Sequence, residues 1–148
     1  MTDHELRRAR YEEWLESKAL MYGFAKEIAS LATRTTKGIR NDTPPIERWH
    51  RIIPTVRIAE KVREQFGPTV IHSAYRSLTY NVAVGGVGDS RHSQNDALDI
   101  ACTNATPEQV GQYLKNLRAT GAFSGGIGIY RTFVHVDTRG TNADWRGK

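Results

Sequence analysis

Hydrophobic residues near the N-terminus recur at helical spacing. Between residues 4 and 33 the apolar side chains fall on one stripe, which predicts a single helix over this range. The stripe consists of Trp14, Met21, Phe24, Ile28 and Leu31. Two interpretations stay open for this helix: it packs on its own domain, or it serves self-association or docking.

A polar segment follows the predicted helix. Residues 33–45, TRTTKGIRNDTPP, combine Gly, Asn, Asp and Pro-Pro without any period, which is typical of a linker. The next apolar stripe predicts a helix over residues 46–66, where Pro54 must introduce a kink or a break. We therefore expect an N-terminal helix and linker over residues 1–43 and a second domain over residues 44–148.

Short apolar runs bounded by turn residues dominate the rest of the chain. They predict strands at 69–74 and 97–101, separated by a long loop at 75–96 that contains three glycines. In a compact domain, a loop of this length is usually functional or disordered.

The C-terminal third carries the clearest local signals. A capping box at Thr106–Gln109 predicts a helix that ends at Gly121. The runs Ile127–Tyr130 and Phe133–Asp137 are too close in sequence to form anything but an antiparallel hairpin, and the tail is polar apart from Trp145. The element order predicts an α+β fold, with a small, mostly antiparallel sheet and helices packed on one side.

Charge and composition narrow the class of protein. The 148 residues carry a net charge of +5, but the basic residues are scattered and match no nucleic-acid-binding signature, so we expect no nucleic-acid partner. No apolar run approaches the about 20 residues that a membrane helix needs, so we expect no membrane insertion, and the charged N-terminus shows no signal peptide. The one cysteine, Cys102, follows an apolar strand and is interpreted as a small buried hydrophobe.

Polar residues interrupt two of the predicted strands. In FVHVD, alternation places Val134 and Val136 on one face of the strand and His135 with Asp137 on the other. The histidine and the aspartate could be metal ligands, an acid–base pair or part of a solvated surface. Asp99 interrupts the apolar run ALDIA, where a carboxylate is costly unless it is paired or bound to a cation.

His92 lies upstream of Asp99, in the glycine-containing loop. Two histidines and one carboxylate, with His135 as the third member, form a three-ligand shell that suits catalytic zinc and leaves a position for water. Zinc suits this mixed set better than magnesium or calcium, which prefer oxygen ligands.

Four motifs in order resemble the M15 zinc peptidases, the D-alanyl-D-alanine carboxypeptidase group. They are SAYRS (73–77), Asn81 with Gly85-Gly86, SRHSQNDALD (90–99) and GGIGIYRTFVHVDTRG (125–140). The short branch with a Phe-Val-His-Val-Asp motif is the most similar, and the resemblance covers about residues 44–146. It implies a hedgehog/D-Ala-D-Ala-peptidase-like fold and hydrolysis of an amide bond in peptidoglycan peptides.

By position in these motifs, the resemblance implies a role for four residues. His92, Asp99 and His135 match the family's zinc ligands, so the implied cofactor is Zn²⁺. Arg76 matches the arginine that contacts the substrate carboxylate or carbonyl and helps to hold the developing oxyanion, which a fixed guanidinium does well. The implied substrate is a peptidoglycan stem peptide or cross-link.

Two positions depart from the family pattern. Asn95 stands where the family usually has glycine, and asparagine tolerates positive φ better than most residues. Thr132 stands where many relatives have the Glu or Asp general base. Asp137 and Asp96 are the candidate replacements, although Asp137 could equally orient His135 or pair with an arginine.

Two functions from different classes follow. One is a zinc peptidase of the bacterial cell wall, a D-Ala-D-Ala carboxypeptidase or an endopeptidase, with a phage endolysin among the alternatives. The other is a zinc-stabilised, non-catalytic cell-wall-binding or virion structural module, which the threonine at the base position suggests. With no signal peptide seen, we expect a protein that stays cytoplasmic until released, or is virion-associated, and acts on the cell wall.

Overall fold

A five-stranded sheet forms the centre of the protein in the computed structural model, which describes all 148 residues. A separate two-stranded hairpin precedes it. The strands in chain order are β1 (Thr35–Thr36), β2 (Ile39–Arg40), β3 (Thr69–Ser73), β4 (Ala97–Cys102), β5 (Gly126–Ile129), β6 (Val134–Asp137) and β7 (Ala143–Arg146). The large sheet has the order β3-β4-β6-β5-β7, and only the β5–β7 pair is parallel. The predicted α+β fold with a mostly antiparallel sheet is confirmed.

Five α-helices surround this sheet, and three short 3₁₀ turns connect them to it. The helices are α1 (Asp3–Glu16), α2 (Phe24–Ser30), α3 (Ile53–Phe66), α4 (Leu78–Ala83) and α5 (Pro107–Ala119); the 3₁₀ turns are Leu31–Thr33, Ile46–Ile52 and Arg91–Gln94. The predicted capping box is present, because Thr106 Oγ1 accepts from the Gln109 backbone N–H and Gln109 Oε1 accepts from the Thr106 N–H. None of the helices has the length and apolar character needed to span a bilayer.

One hydrophobic core lies between the helices and one face of the sheet. Leu98 and Ile100 from β4 point into it together with Val134 and Val136 from β6, and all four side chains are almost completely buried. Because side chains alternate along a strand, the residues between them project from the opposite face. That opposite face therefore remains available for polar groups.

The prediction of one N-terminal helix is wrong. The chain forms α1 and α2 instead, because Ala19, Tyr22 and Gly23 adopt positive φ values of 55°, 63° and 71° and end the right-handed helical path. Both helices contribute to the single core, with Tyr11 and Leu15 from the first. The proposed division of the chain after residue 43 stays a prediction.

Three segments expected to be irregular contain regular structure. Part of the linker forms the β1–β2 hairpin, and the loop at 75–96 contains α4 and the Arg91–Gln94 turn. The tail forms β7, parallel to β5. The expected break at Pro54 is confirmed, since a 3₁₀ turn precedes it and α3 begins with Pro54 in its first turn.

Candidate metal centre

Three polar residues meet on the open face of the sheet. Asp99 on β4 lies directly opposite His135 on β6 in the strand register, and the Arg91–Gln94 turn brings His92 beside them. One ligand atom from each residue lies within 4.8 Å of the others, and all three residues are buried. The three candidate ligands predicted from the sequence therefore form one compact group in the structure.

The carboxylate of Asp99 lies between the two imidazoles. Its Oδ1 is 3.1 Å from His92 Nε2 and 3.3 Å from His135 Nδ1. Burial alone would raise the pKa of Asp99, but the charges and hydrogen bonds of His92 and His135 outweigh it and hold the pKa well below its usual range. Asp99 is therefore an anion, the form that binds a cation.

The other nitrogen of each imidazole is engaged away from this centre. His92 Nδ1 lies 2.8 Å from the backbone oxygen of Ala74, and His135 Nε2 lies 2.7 Å from Asp137 Oδ2. With a cation bound, neutral rings that donate through these nitrogens would present the lone pairs of His92 Nε2 and His135 Nδ1 to it. This is the arrangement by which proteins fix the tautomer of metal-binding histidines, and two nitrogens with one carboxylate oxygen fit zinc.

Asp137 is fully buried directly behind His135. Besides His135, it accepts hydrogen bonds from the Gly126 backbone N–H at 2.9 Å and from Nε and Nη2 of Arg139 at 2.9 Å and 2.7 Å. Burial would raise the pKa of Asp137, but the bonds from Arg139, His135 and Gly126 lower it below its usual range. Asp137 does not line the cleft, so its contacts favour the second of the two interpretations, the orientation of His135.

Asp96 is turned toward Arg91. The two side chains form an ion pair in which Arg91 Nε lies 3.1 Å from Asp96 Oδ1, and Asp96 is only 6% exposed. It does not line the cleft either, and its role as base stays a prediction. Thr132, at the family's usual base position, is exposed and borders a small cavity beside α5 instead.

Arg76 lies beside the three-residue group. Its Nη2 is 3.4 Å from Asp99 Oδ2, its Nε donates to Ser73 Oγ at 3.0 Å, and its Nη1 lies 3.4 Å from Asn81 Oδ1. A side chain at Gly86 would collide with Asn81, because an added Cβ would lie 2.0 Å from Asn81 Oδ1. The Asn81 and Gly86 motif thus supports the guanidinium.

An open cleft of about 400 Å³ lies in front of these groups. One wall is aromatic: the rings of Tyr130 and Phe133 stack with centroids 4.5 Å apart, and Trp145 Nε1 donates to the Tyr130 hydroxyl at 2.9 Å. Two more guanidinium groups, of Arg91 and Arg139, also line the cleft. The cleft therefore offers flat apolar surface and positive charge beside the metal ligands.

Sequence analysis assigned no role to Trp145 or Asp89, which also line the cleft. Trp145 lies on the unpredicted β7, and its ring covers Gly128, where an added Cβ would lie 2.4 Å from Trp145 Nε1. The alternation of glycine with isoleucine in GGIGIY was the available signal, since glycines on one face of a strand leave space for a ring. Asp89, an exposed carboxylate that also lines the cleft, had no signal beyond its place in the glycine-containing loop.

The sheet and the buried His–Asp–His group define a class of protein with a candidate site for one metal ion. The family model described as Peptidase M15 matches residues 23–137, which is most of the chain. The chain therefore belongs to the M15 peptidases, a family of zinc metallopeptidases. The match begins before residue 44, so it includes α2 and the β1–β2 hairpin. Among curated proteins, none is similar enough to the chain to count as a match.

Proposed function

We propose that this protein is a zinc-dependent peptidase that hydrolyses an amide bond in peptidoglycan peptides, as a D-Ala-D-Ala carboxypeptidase or as a stem-peptide or cross-link endopeptidase. The observation that carries the proposal is the buried group of His92, Asp99 and His135, with Arg76 beside it at the base of an open cleft. Bound zinc would lower the pKa of water toward neutrality and polarise the scissile carbonyl.

In this reaction Arg76 binds the substrate. Its contacts with Asp99 and Asn81 are both 3.4 Å long, which is longer than a typical hydrogen bond. A closer anionic acceptor would therefore bind these guanidinium nitrogens more strongly than Asp99 and Asn81 do. A substrate carboxylate or the developing oxyanion of the scissile carbonyl is such an acceptor. The role assigned to Arg76 by family resemblance thus agrees with its position.

For the general base we propose Asp89, ahead of Asp137 and Asp96. Asp137 and Asp96 are each buried and bonded to an arginine, whereas Asp89 lines the cleft and is exposed. A base must reach the attacking water, directly or through one further water, and then pass its proton to the leaving amine. Apart from the ligand Asp99, Asp89 is the carboxylate that lines the cleft, and this position supports the proposal.

The charge of the cleft supports an acidic peptide as substrate. Arg91 and Arg139 line it together with Arg76, and stem peptides carry free carboxylates that such guanidinium groups bind. The aromatic wall of Tyr130 and Trp145 offers a flat surface for the peptide backbone. A phage endolysin, released to the wall or carried on a virion, is the biological setting that we propose.

The test is digestion of purified sacculi, with mass spectrometry of the muropeptides and metal analysis of the same sample. We expect about one zinc per chain, a product with one amide bond cut, and loss of both zinc and product in His92→Ala and His135→Ala. Zinc at full occupancy with no product at any pH would instead support the alternative, a zinc-stabilised binding or virion module.

The base assignment is tested on the zinc-loaded protein. Asp89→Asn should lower kcat by about 100-fold or more, the usual contribution of a general base, and leave the zinc content unchanged. The same loss in Asp96→Asn or Asp137→Asn at full zinc occupancy, with Asp89→Asn active, would return the role to that residue.

A further inference from the structure

Helix α1 lies outside the residues matched by the family model, yet it contacts two segments that carry the candidate site. Tyr11, at 1% exposure, approaches the loop between His92 and Asp99. His4, at 5% exposure, contacts the backbone of Asn41, whose side chain bonds to the residues on either side of Arg76. Hydrophobic packing accounts for the Tyr11 ring but not for the buried Tyr11 hydroxyl or the buried His4 imidazole.

The first contact passes through Asn95. This residue is fully buried, has a φ of 62°, and ends the 3₁₀ turn that carries His92. Its Nδ2 donates to the Arg48 backbone oxygen at 2.8 Å, and Arg48 in turn donates to the Ser93 backbone oxygen at 3.2 Å. Asn95 therefore fixes the turn between two metal ligands to the Ile46–Ile52 segment, which a glycine at this position would not do.

Tyr11 completes this contact from the other side. Burial raises the pKa of Tyr11, and the neighbouring Asn95 amide opposes that rise. Tyr11 Oη and Asn95 Oδ1 are both buried, and neither has a hydrogen-bond partner in the chain. Two buried polar atoms in this situation are costly unless they serve each other. The Tyr11 ring also packs against Trp49, with centroids 5.2 Å apart.

The second contact passes through Asn41. His4 Nε2 lies 3.1 Å from the backbone oxygen of Asn41, whose side chain is also buried. Asn41 Nδ2 donates to the Tyr75 backbone oxygen at 2.8 Å, and Asn41 Oδ1 accepts from the Ser77 backbone N–H at 3.0 Å. The amide thus holds the backbone on both sides of Arg76.

We propose that α1 is a positioning element of the active site: Tyr11, through Asn95, holds the turn between two metal ligands, and His4, through Asn41, holds the backbone that carries Arg76. The family usually has glycine at this position, whereas Asn95 has a side chain that α1 can hold in place. The inference rests on the proposed metal site and extends it to residues outside the matched range.

Metal binding tests the first contact without any substrate. The variants are Tyr11→Phe, Asn95→Gly and the double variant, and Leu114→Ala is the control because it removes a fully buried core side chain of α5 rather than of α1. Chelator competition gives the zinc affinity, the absorption spectrum of the cobalt-substituted protein reports ligand geometry, and urea unfolding gives stability.

We expect Asn95→Gly and Tyr11→Phe each to weaken zinc binding by about tenfold, as for other residues that orient metal ligands, and to change the cobalt spectrum. The double variant should be no weaker than Asn95→Gly alone, because both changes remove the same contact. Leu114→Ala should lose stability with an unaltered cobalt spectrum. Zinc affinity within twofold of the parent in both single variants, or additive losses in the double variant, would overturn the proposal.

Catalysis tests the second contact. Asn41→Ala, and His4→Phe as a milder change, should reduce kcat/KM about tenfold, the scale at which small misplacements of a substrate-binding group act, with unaltered zinc affinity and cobalt spectrum. Equal losses of zinc affinity and of kcat/KM would contradict the proposal that the two contacts act separately. If the parent binds zinc but cuts no peptide, the proposed function fails while the metal-binding test still decides the first contact.

Discussion

Replacing Asp137 by asparagine keeps the volume of the side chain and removes its charge. The parent carboxylate is fully buried and accepts hydrogen bonds from His135, Gly126 and Arg139. An amide has one oxygen and one NH₂ group, so it can no longer accept on both sides. If the NH₂ group replaces Oδ2, it faces the donors His135 Nε2 and Arg139 Nη2; if it replaces Oδ1, it faces the Gly126 N–H and Arg139 Nε.

The magnitude follows from these contacts. A residue that orients a metal-binding histidine usually contributes 10- to 100-fold to metal affinity, which is about 1.4–2.8 kcal/mol. Breaking a buried ion pair costs about 3–5 kcal/mol of folding free energy, and the Arg139 side chain is 26% exposed, so the cost here should be smaller. We therefore expect Asp137→Asn to bind zinc about 30-fold more weakly and to unfold about 2 kcal/mol more easily.

Chelator competition at pH 7.5 and urea unfolding of the metal-free protein measure the two effects. Asp144→Asn is the matched control, because Asp144 also accepts from an arginine, Arg118 at 2.7 Å, but is half exposed and outside the cleft. It should change stability by less than about 1 kcal/mol and leave zinc affinity unaltered. A folded Asp137→Asn protein with parental zinc affinity would refute the orienting role.

Three further predictions concern the fold around the centre. Gly128→Ala should cost about 1–3 kcal/mol and quench or shift the emission of Trp145, whose ring occupies the space of the added methyl group. Leu98→Ala, at a fully buried core position, should cost about 2–5 kcal/mol in urea unfolding. Because the pKa of Asp99 is depressed on folding, the stability it contributes to the metal-free protein is complete above about pH 4 and is lost as the pH falls through the folded value. Urea unfolding as a function of pH should show this acid loss, and Asp99→Asn should reduce it; equal slopes for the two proteins would contradict the assignment.

Elements with a local signal were predictable from the sequence. The capping box fixes the start of α5, and the short connection between β5 and β6 permits only a hairpin. The alternation in FVHVD correctly separated the core residues from His135 and Asp137. These features depend on contacts within a few residues, which a sequence displays directly.

Elements that depend on distant contacts were not predictable. The break between α1 and α2 occurs at Ala19 and Tyr22, residue types that rarely adopt positive φ and give no warning of it. β7 exists because its backbone pairs with β5 and its Trp145 covers Gly128, and neither partner is near in sequence. A tail with one apolar residue therefore resembles a loop until the sheet provides its partner.

For the same reason, spacing in the sequence could not by itself assign roles to the carboxylates near the metal ligands. Asp96, Asp99 and Asp137 all lie within four residues of a candidate histidine or aspartate, and only the sheet register decides which way each one points. Register places Asp99 opposite His135 and leaves Asp137 behind it, while the turn that ends at Asn95 directs Asp96 toward Arg91. A carboxylate adjacent to a metal ligand in sequence is thus as suited to holding that ligand or its turn in place as to accepting a proton. The residue that moves the proton must in addition line the cleft; of these three carboxylates only the ligand Asp99 does so, as does Asp89, the base proposed above.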